Sequence, residues 1–415
     1  MITIEDHLDA VLAGAEPLPT VREPIERCHG LVLAEDCAAR LAVPPFTNSA
    51  MDGFAVRAAD IATASETEPV RLRVSGDIPA GVAPTSPVET GCAHRIMTGA
   101  MLPEGADVVV PVELTNVPAG PHALVEEVLI YEAVPVGRHV RQAGDDVAVG
   151  EPVVAAGTRL SAAALSSLVS VGYGELAVTR RPRVAVLATG EELAAPGSTP
   201  KPGHIPDSNT TLVTGLLAEA GCETVSIGRS GDRPQELLAA LTSAAESADL
   251  VITTGGVSAG AYDVVKEATA GRGVSFVKVA MQPGKPQGHG LIEAGGRRVP
   301  MLCLPGNPVS VFVSFHLFAA PVLARLAGER DGGGPQRRMA TTTVAWRSPA
   351  GRRQLAPVRL EEAGRVGDLP TIIPTHRLGS GSHLVASLHK ANALAVVPED
   401  RTEVAAWDVV EVIVL

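Results

Sequence analysis

Aromatic residues are scarce in this chain of 415: six Phe, three Tyr and two Trp, 3% in all. Aliphatic side chains must therefore fill the core, and base-stacking platforms for single-stranded nucleic acid are excluded. Cysteine is as sparse. Cys28, Cys37, Cys92, Cys222 and Cys303 are odd in number, scattered, and form no C-x-x-C pair. That pattern excludes a disulfide framework and a thiolate zinc site, and it points to a reducing compartment. Positive charge is in deficit, with 34 basic against 46 acidic residues and a net charge of −12. A surface of that sign does not suit broad binding of phosphate backbones. Small anionic substrates stay open, because local clusters outweigh the sum. No apolar run suits a bilayer: the most apolar stretch, residues 309–323, carries His316 and Pro321 and reads as a buried helix. Glu5 and Asp6 stand where a signal peptide would be basic. The expected location is cytoplasmic, with no membrane and no nucleic-acid partner.

What is present is apolar mass and punctuation. Apolar residues make up 46% and charged residues 19%, which excludes a disordered chain. The 42 Gly and 33 Pro show no repeat, so they mark turns. At the usual ~100–200 residues per domain, two to four domains are expected.

The pattern along the chain divides accordingly. Residues 3–14 read as a short amphipathic helix capped by Thr3, with Ile4, Leu8, Val11 and Leu12 on one face. Residues 46–135 read as short strands between turns, with Arg71–Val74 alternating and Asp107–Val110 a buried run. From Pro182 strands alternate with helices. Strands are predicted at 183–188, 224–227, 250–254, 275–280 and 299–304. Helices are predicted at 209–220, 234–247 and 263–269, with a long one opening at Asn307-Pro308. Such alternation implies a doubly wound parallel sheet covered by helices. A Gly-rich linker at 329–336 precedes short strands such as Leu394–Val397 and Val409–Val414.

Ligands of open α/β sheets bind outside the carboxyl ends of the strands. Two such ends here suit anions. Thr253-Thr254-Gly255-Gly256-Val257-Ser258 offers backbone N–H groups and the Ser258 hydroxyl. Pro305-Gly306-Asn307-Pro308-Val309-Ser310 opens a helix whose N-terminus can receive a phosphate. The first is equally readable as a bare Gly-rich turn, and the second as plain capping. Lys278 and Lys285 are candidate anion clamps or surface lysines. Asp52, Glu192, Asp232 and Asp263 each follow a strand or sit in a turn, where capping and solvation are the competing readings.

Six motifs in order carry a resemblance that none carries alone. They are Ser49-Ala50-Met51-Asp52-Gly53-Phe54-Ala55, Arg95-Ile96-Met97-Thr98-Gly99-Ala100, Thr189-Gly190-Glu191-Glu192-Leu193, Gly255-Gly256-Val257-Ser258-Ala259-Gly260, Pro283-Gly284-Lys285-Pro286 and Leu304-Pro305-Gly306-Asn307-Pro308-Val309-Ser310. Over about residues 1–410 the chain resembles the molybdopterin molybdenumtransferase family (MoeA and the E domain of gephyrin). The resemblance implies an elongated homodimer of four-domain subunits. It implies an N-terminal linking domain from 1–44 and 136–177, a small β-rich domain at 45–135, an α/β molybdopterin-binding domain at 178–328 and a C-terminal β domain at 336–415. The implied activity inserts molybdenum from molybdate into adenylylated molybdopterin, releases AMP and depends on a divalent cation, taken as Mg²⁺.

Carried over residue by residue, the family's functional acids fall on Asp52, Glu192, Asp232 and Asp263, and its threonine on Thr98. Lys278 and Lys285 join them as catalytic candidates, and Glu192, Asp232 and Asp263 as metal ligands. Gly255, Gly256, Ser258, Pro305, Gly306, Asn307, Pro308 and Ser310 are expected to bind substrate, with Asp146 and Ser382 at less direct matches. The implied cleft is shared between subunits, so Asp52 and Thr98 act in trans. Transient contacts with an upstream adenylyltransferase and downstream cofactor acceptors are also expected. The chain departs from the family at Gln282, where a second lysine is common, at Glu191, where aspartate is, and at His289.

The chemistry of the residues agrees with a cation. Two unit charges ~5 Å apart repel by about 3 kcal/mol at an effective dielectric near 20, so carboxylates facing a pyrophosphate need protons or a metal. Mg²⁺ takes carboxylate and phosphate oxygens together. No arrangement resembling Ser–His–Asp or Cys–His is present, so no covalent intermediate is expected. Two rival functions remain: adenylyl transfer to molybdopterin on the same sheet domain, which consumes ATP, and a non-catalytic scaffold.

Overall fold

A computed structural model of the chain describes all residues except 232, 258–262, 331–335, 366 and 377–380. The central unit is a six-stranded sheet built from β1 (Arg183–Thr189), β2 (Glu223–Ser230), β3 (Leu250–Thr254), β4 (Val274–Lys278), β5 (Pro286–Ala294) and β6 (Arg297–Leu304), in the order β2-β1-β3-β6-β5-β4. β3 is buried along its whole length, as a strand covered on both faces must be. Along β1 the side chains alternate: Val184 and Val186 join one hydrophobic cluster, Ala185 and Leu187 the other. Helix Asn209–Glu219 and the helical run Pro308–Leu326 cover the first face; helices Pro234–Ser247 and Val264–Thr269 cover the second.

The expected parallel sheet needs one correction. β5 runs antiparallel to both β4 and β6, so the sheet is mixed. β5 and β6 form a hairpin closed by Gly295 and Gly296, both at positive φ (55° and 74°), as a tight two-residue turn requires. The stretch Pro286-Gln287-Gly288 looked like a loop because its glycines and proline mask the strand period.

Residues 308–326 form the buried helix expected, with 78% of the apolar window inside the protein. A π turn at Phe315–Ala319 precedes Pro321, and the Ala320 N–H donates to the Phe315 C=O. The wider turn makes room for a proline that lacks its own donor.

Smaller units flank this sheet. A five-stranded sheet spans Gly53–Ile130 around Phe54, Val74, Val108 and Val128. Segments on either side of it in sequence come back together, Thr20–Pro24 pairing with Glu175–Thr179. The C-terminal strands form a second six-stranded sheet, and Met281–Gln282 is its edge strand beside Arg353–Gln354. The N-terminal helix Ile4–Leu12 carries a capping box, Thr3 with Asp6. It docks on the first face of the central sheet, where His7 meets Phe318 at 4.5 Å.

Asp249, whose side chain is 2% exposed, ties the central sheet to its neighbour. Its carboxylate accepts two hydrogen bonds from Arg180 at 2.7 and 2.6 Å and one from the Arg183 N–H at 2.9 Å. Removing one partner of so buried a pair typically costs about 3–5 kcal/mol.

Candidate functional site

The carboxyl ends of β1, β3 and β6 open into one cavity of about 610 Å³. After β1, Gly190 has φ 135°, and a Cβ built on it would lie 2.4 Å from Glu192 Oε2. The Glu192 carboxylate therefore folds back over a glycine that must stay bare. After β3, Gly255 and Gly256 have φ of 90° and 66°, and added Cβ atoms would meet the Thr189 carbonyl oxygen at 2.8 Å and Val265 Cγ2 at 2.5 Å. After β6, Gly306 lies close to Gly255, so the two glycine turns stand side by side.

Asn307 occupies the N-cap position of its helix, yet its side chain makes no capping bond. Its Nδ2 donates instead to Ser382 Oγ at 3.1 Å, and the Val309 N–H donates to the Ser382 carbonyl at 3.3 Å. Ser382, from the C-terminal region, thus reaches the cavity and anchors the turn Pro305–Pro308. Ser310 is 3% exposed and also on the wall.

Of the expected acids, Glu192 and Asp263 line this cavity. Asp263 precedes helix Val264–Thr269 without capping it, and its Oδ2 accepts from Lys266 Nζ at 2.7 Å. Lys285 is half-buried on the wall. Lys278 is exposed at the end of β4 and does not line the cavity, although the following residue's N–H bonds the Lys285 carbonyl at 2.8 Å. Asp232 and Ser258 lie outside the described residues. Among the described residues no three His, Cys, Asp or Glu side chains converge as a metal cage. Two wall carboxylates suffice for Mg²⁺, which is held by one or two carboxylates plus substrate phosphates and water.

Asp52, Thr98 and Asp146 are not on the wall of this cavity within one chain. Asp52 lines a second hollow of about 550 Å³ on the five-stranded unit. Its Oδ1 accepts the Thr98 hydroxyl and the Thr98 N–H, both at 2.7 Å. Those two bonds hold the Asp52 carboxyl below the usual carboxylate range. Asp146 is exposed in a turn, with its N–H on the Val43 carbonyl at 2.9 Å.

The sequence reading missed Asn209. Buried Asp207 accepts from the Thr210 N–H at 3.0 Å and hydroxyl at 2.7 Å and pairs with Arg229 at 3.3 Å, which fixes the start of helix Asn209–Glu219. Asn209 then points its Nδ2 at the Gly306 carbonyl, 2.6 Å away. In sequence, Asn209 is only the first residue of the helix predicted at 209–220. His289, uninterpreted from sequence, lies outside this cavity and faces His7 on the N-terminal helix.

Three family models cover most of the chain: the MoeA N-terminal region (domain I and II) over residues 2–172, a probable molybdopterin binding domain over 185–325, and the MoeA C-terminal region (domain IV) over 339–415. Molybdopterin molybdenumtransferase 2 of Mycobacterium tuberculosis is 41% identical over 98% of this chain and 100% of its own length. Molybdopterin molybdenumtransferase of Haemophilus influenzae is 33% identical over 99% of this chain and 98% of its own. The crystal structure of a molybdopterin biosynthesis MoeA protein from Pyrococcus horikosii superposes with a TM-score of 0.79 at 33% identity, covering 100% of this chain and 99% of that one.

Proposed function

The chain belongs to the molybdopterin molybdenumtransferase family, and from that premise we propose that it inserts molybdenum, taken from molybdate, into adenylylated molybdopterin and releases AMP. It is a transferase of molybdenum cofactor biosynthesis. The observation that carries the finer reading is the meeting of two anion-receptive glycine turns with the carboxylates of Glu192 and Asp263 in one cavity.

In the turns at Gly255–Gly256 and Pro305–Asn307 the N–H groups of Gly256, Gly306 and Asn307 would face the phosphoanhydride, as glycine turns and helix N-termini do, while the Gly255 N–H is engaged by the Leu304 carbonyl at 3.1 Å. Lys285 adds a positive charge on the same wall. Glu192 and Asp263, with Asp232, would hold Mg²⁺, which supplies charge neutralisation at the anhydride when bound. Lys266 keeps Asp263 oriented. Molybdate is the second substrate, a dianion drawn to the lysine side of the cavity.

Asp52 and Thr98 fit this reading if two subunits share a cleft, each cavity being completed by the partner subunit's Asp52. The expected assembly is a homodimer, and the expected location is the cytoplasm.

The test is an incubation of purified protein with adenylylated molybdopterin, molybdate and Mg²⁺ in the absence of ATP. AMP should appear together with molybdenum bound to the pterin product. A need for ATP would turn the reading to adenylyl transfer, and no turnover would turn it to a scaffold.

A further inference from the structure

We infer that Gln287 and Ser314 form a positioning pair behind the cavity wall. The pair holds the bend that carries Lys285 against the helix opening at Pro308, and so sets the grip on the anionic part of the substrate. The inference rests on the proposed function, in which Lys285 and the turn Pro305–Asn307 receive that anion.

Gln287 is 1% exposed and Ser314 0%, and neither lines the cavity. The Gln287 Nε2 donates to the Gly284 carbonyl at 2.6 Å and to Ser314 Oγ at 2.7 Å. A carbonyl can only accept, so the orientation of the amide is settled. Gly284 is buried and lies in the bend between the strand Met281–Gln282 and β5, outside both ladders. Gln287 supplies the donor that such a buried carbonyl needs.

The bend is seated directly on the pair. Gly284 has φ 94°, and a Cβ built on it would lie 3.0 Å from Ser314 Oγ and 3.3 Å from Gln287 Nε2. The Val279 N–H holds the next carbonyl, that of Lys285, at 2.8 Å. The Lys285 backbone is thus pinned at the carbonyl before it and at its own, with the residue on the cavity wall.

Ser314 follows Ser310 by one helical turn on the same face, and Ser310 lines the cavity. The pair therefore joins two anion-receptive parts from behind, the lysine bend and the first turn of helix Pro308–Leu326. A hydrogen bond to a charged group weakens steeply with distance and angle, so the place of the bend decides what the Lys285 charge is worth. Leucine at 287 would fill the space but leave the Gly284 carbonyl unpaired, and the bend would shift to find another donor.

The experiment is calorimetric titration of the full chain in Mg²⁺, with inorganic pyrophosphate and molybdate as separate probes. Gln287→Leu and Ser314→Ala are each made alone and together with Lys285→Ala. Alone, Gln287→Leu should weaken at least one probe roughly 3–10-fold, a share of what a hydrogen bond to a charged group is worth, and Ser314→Ala should weaken it less. With Lys285→Ala in place, neither change should weaken that probe further, because residues that act through one another are not additive. Any loss of fold stability recurs in both backgrounds and cancels from the comparison. Ser314→Ala removes one hydroxyl and carries the same comparison where Gln287→Leu does not fold. The probe that weakens identifies the anion that Lys285 holds. An equal fold-loss with and without Lys285, or no loss in either single variant, overturns the inference and leaves the proposed function standing. A wild-type protein that binds neither probe overturns the proposed anion site, and the inference with it.

Discussion

Arg352 donates from Nη1 to Oε1 of Gln282 at 3.0 Å. The contact brings a cation from the C-terminal sheet to the wall of the cavity, because Gln282 lines that wall on the strand beside Arg353–Gln354. The charge that sequence reading found missing at Gln282 is thereby supplied one hydrogen bond away. Gln282→Lys should add to it and strengthen molybdate binding by about 0.5–2 kcal/mol in a partly exposed pocket. Arg352→Ala should weaken binding by a similar amount. Both effects should fade at high salt, since exposed charges are screened within about 8 Å at physiological ionic strength. The measurement is the molybdate concentration giving half-maximal AMP release. Superimposable curves at low salt would place both residues outside the anion site.

Gly190 and Glu192 act as a unit. The carboxylate occupies the space a Cβ would need, at 2.4 Å, and φ 135° is itself hostile to other residues. Gly190→Ala should therefore push Glu192 away and raise the Mg²⁺ needed for AMP release, whereas Glu192→Gln should abolish that release. Backbone strain alone is worth about 1–3 kcal/mol. Gly197→Ala is the control for it, with φ 78° and open space around it. If Gly190→Ala turns over like wild type at limiting Mg²⁺, the carboxylate is not a metal ligand.

Most of the scaffold was legible because its elements carry strong local signals. Leu250–Thr254 is a run of buried residues ended by two glycines, and Pro234–Ser247 begins on a proline and keeps its apolar period. β5 was not legible, since glycine and proline hide a period that only pairing with β4 and β6 enforces. The same division holds for the site. Glu192, Lys285 and the glycine turns were visible as motifs. Asn209 and Arg352 were not, because each acts through a partner 97 or 70 residues away in sequence. Asn307 was read correctly as a helix boundary, but the bond it makes, to Ser382, is tertiary.

Asp52 offers a test of the shared cleft. Asp52→Asn can still accept both Thr98 bonds through its remaining oxygen, so the fold should survive while the charge is lost. Each of Asp52→Asn and Glu192→Gln should be inactive alone. Co-refolded or exchanged into mixed dimers, they should regain partial activity, because one cleft then holds an intact Glu192 and the partner subunit's intact Asp52. Verified mixed dimers with no activity would place both residues in the same subunit's cleft, or Asp52 in none.

The docking of the N-terminal helix should be sensitive to acid. His7 is 1% exposed, edge-on to Phe318 at 4.5 Å and to His289 at 5.1 Å, and its Nδ1 has no partner among the described residues. Burial first, and the neighbouring His289 second, pull its pKa down to about 4. Burial also lowers His289, and it pulls His316, packed on Phe312 and Phe315, to about 4. The nearby acids are otherwise engaged, Glu5 with Arg353 and Asp6 with the Thr3 cap. Because the folded value lies below the unfolded one, the unfolded chain takes up the proton first. Above pH ~6.5 the ring is neutral in both states and has no effect. As pH falls from there to about 4, stability is lost, reaching about 3 kcal/mol for His7 alone before the loss saturates. His7→Leu removes this term while leaving the carboxylates, so its urea midpoint should fall less steeply than wild type between those limits. Any packing loss would offset the two curves by a constant and would not change their relative slope. Parallel curves from neutral pH to pH 4 would mean that His7 is solvated, and that the helix lifts from the sheet more readily than its contacts imply.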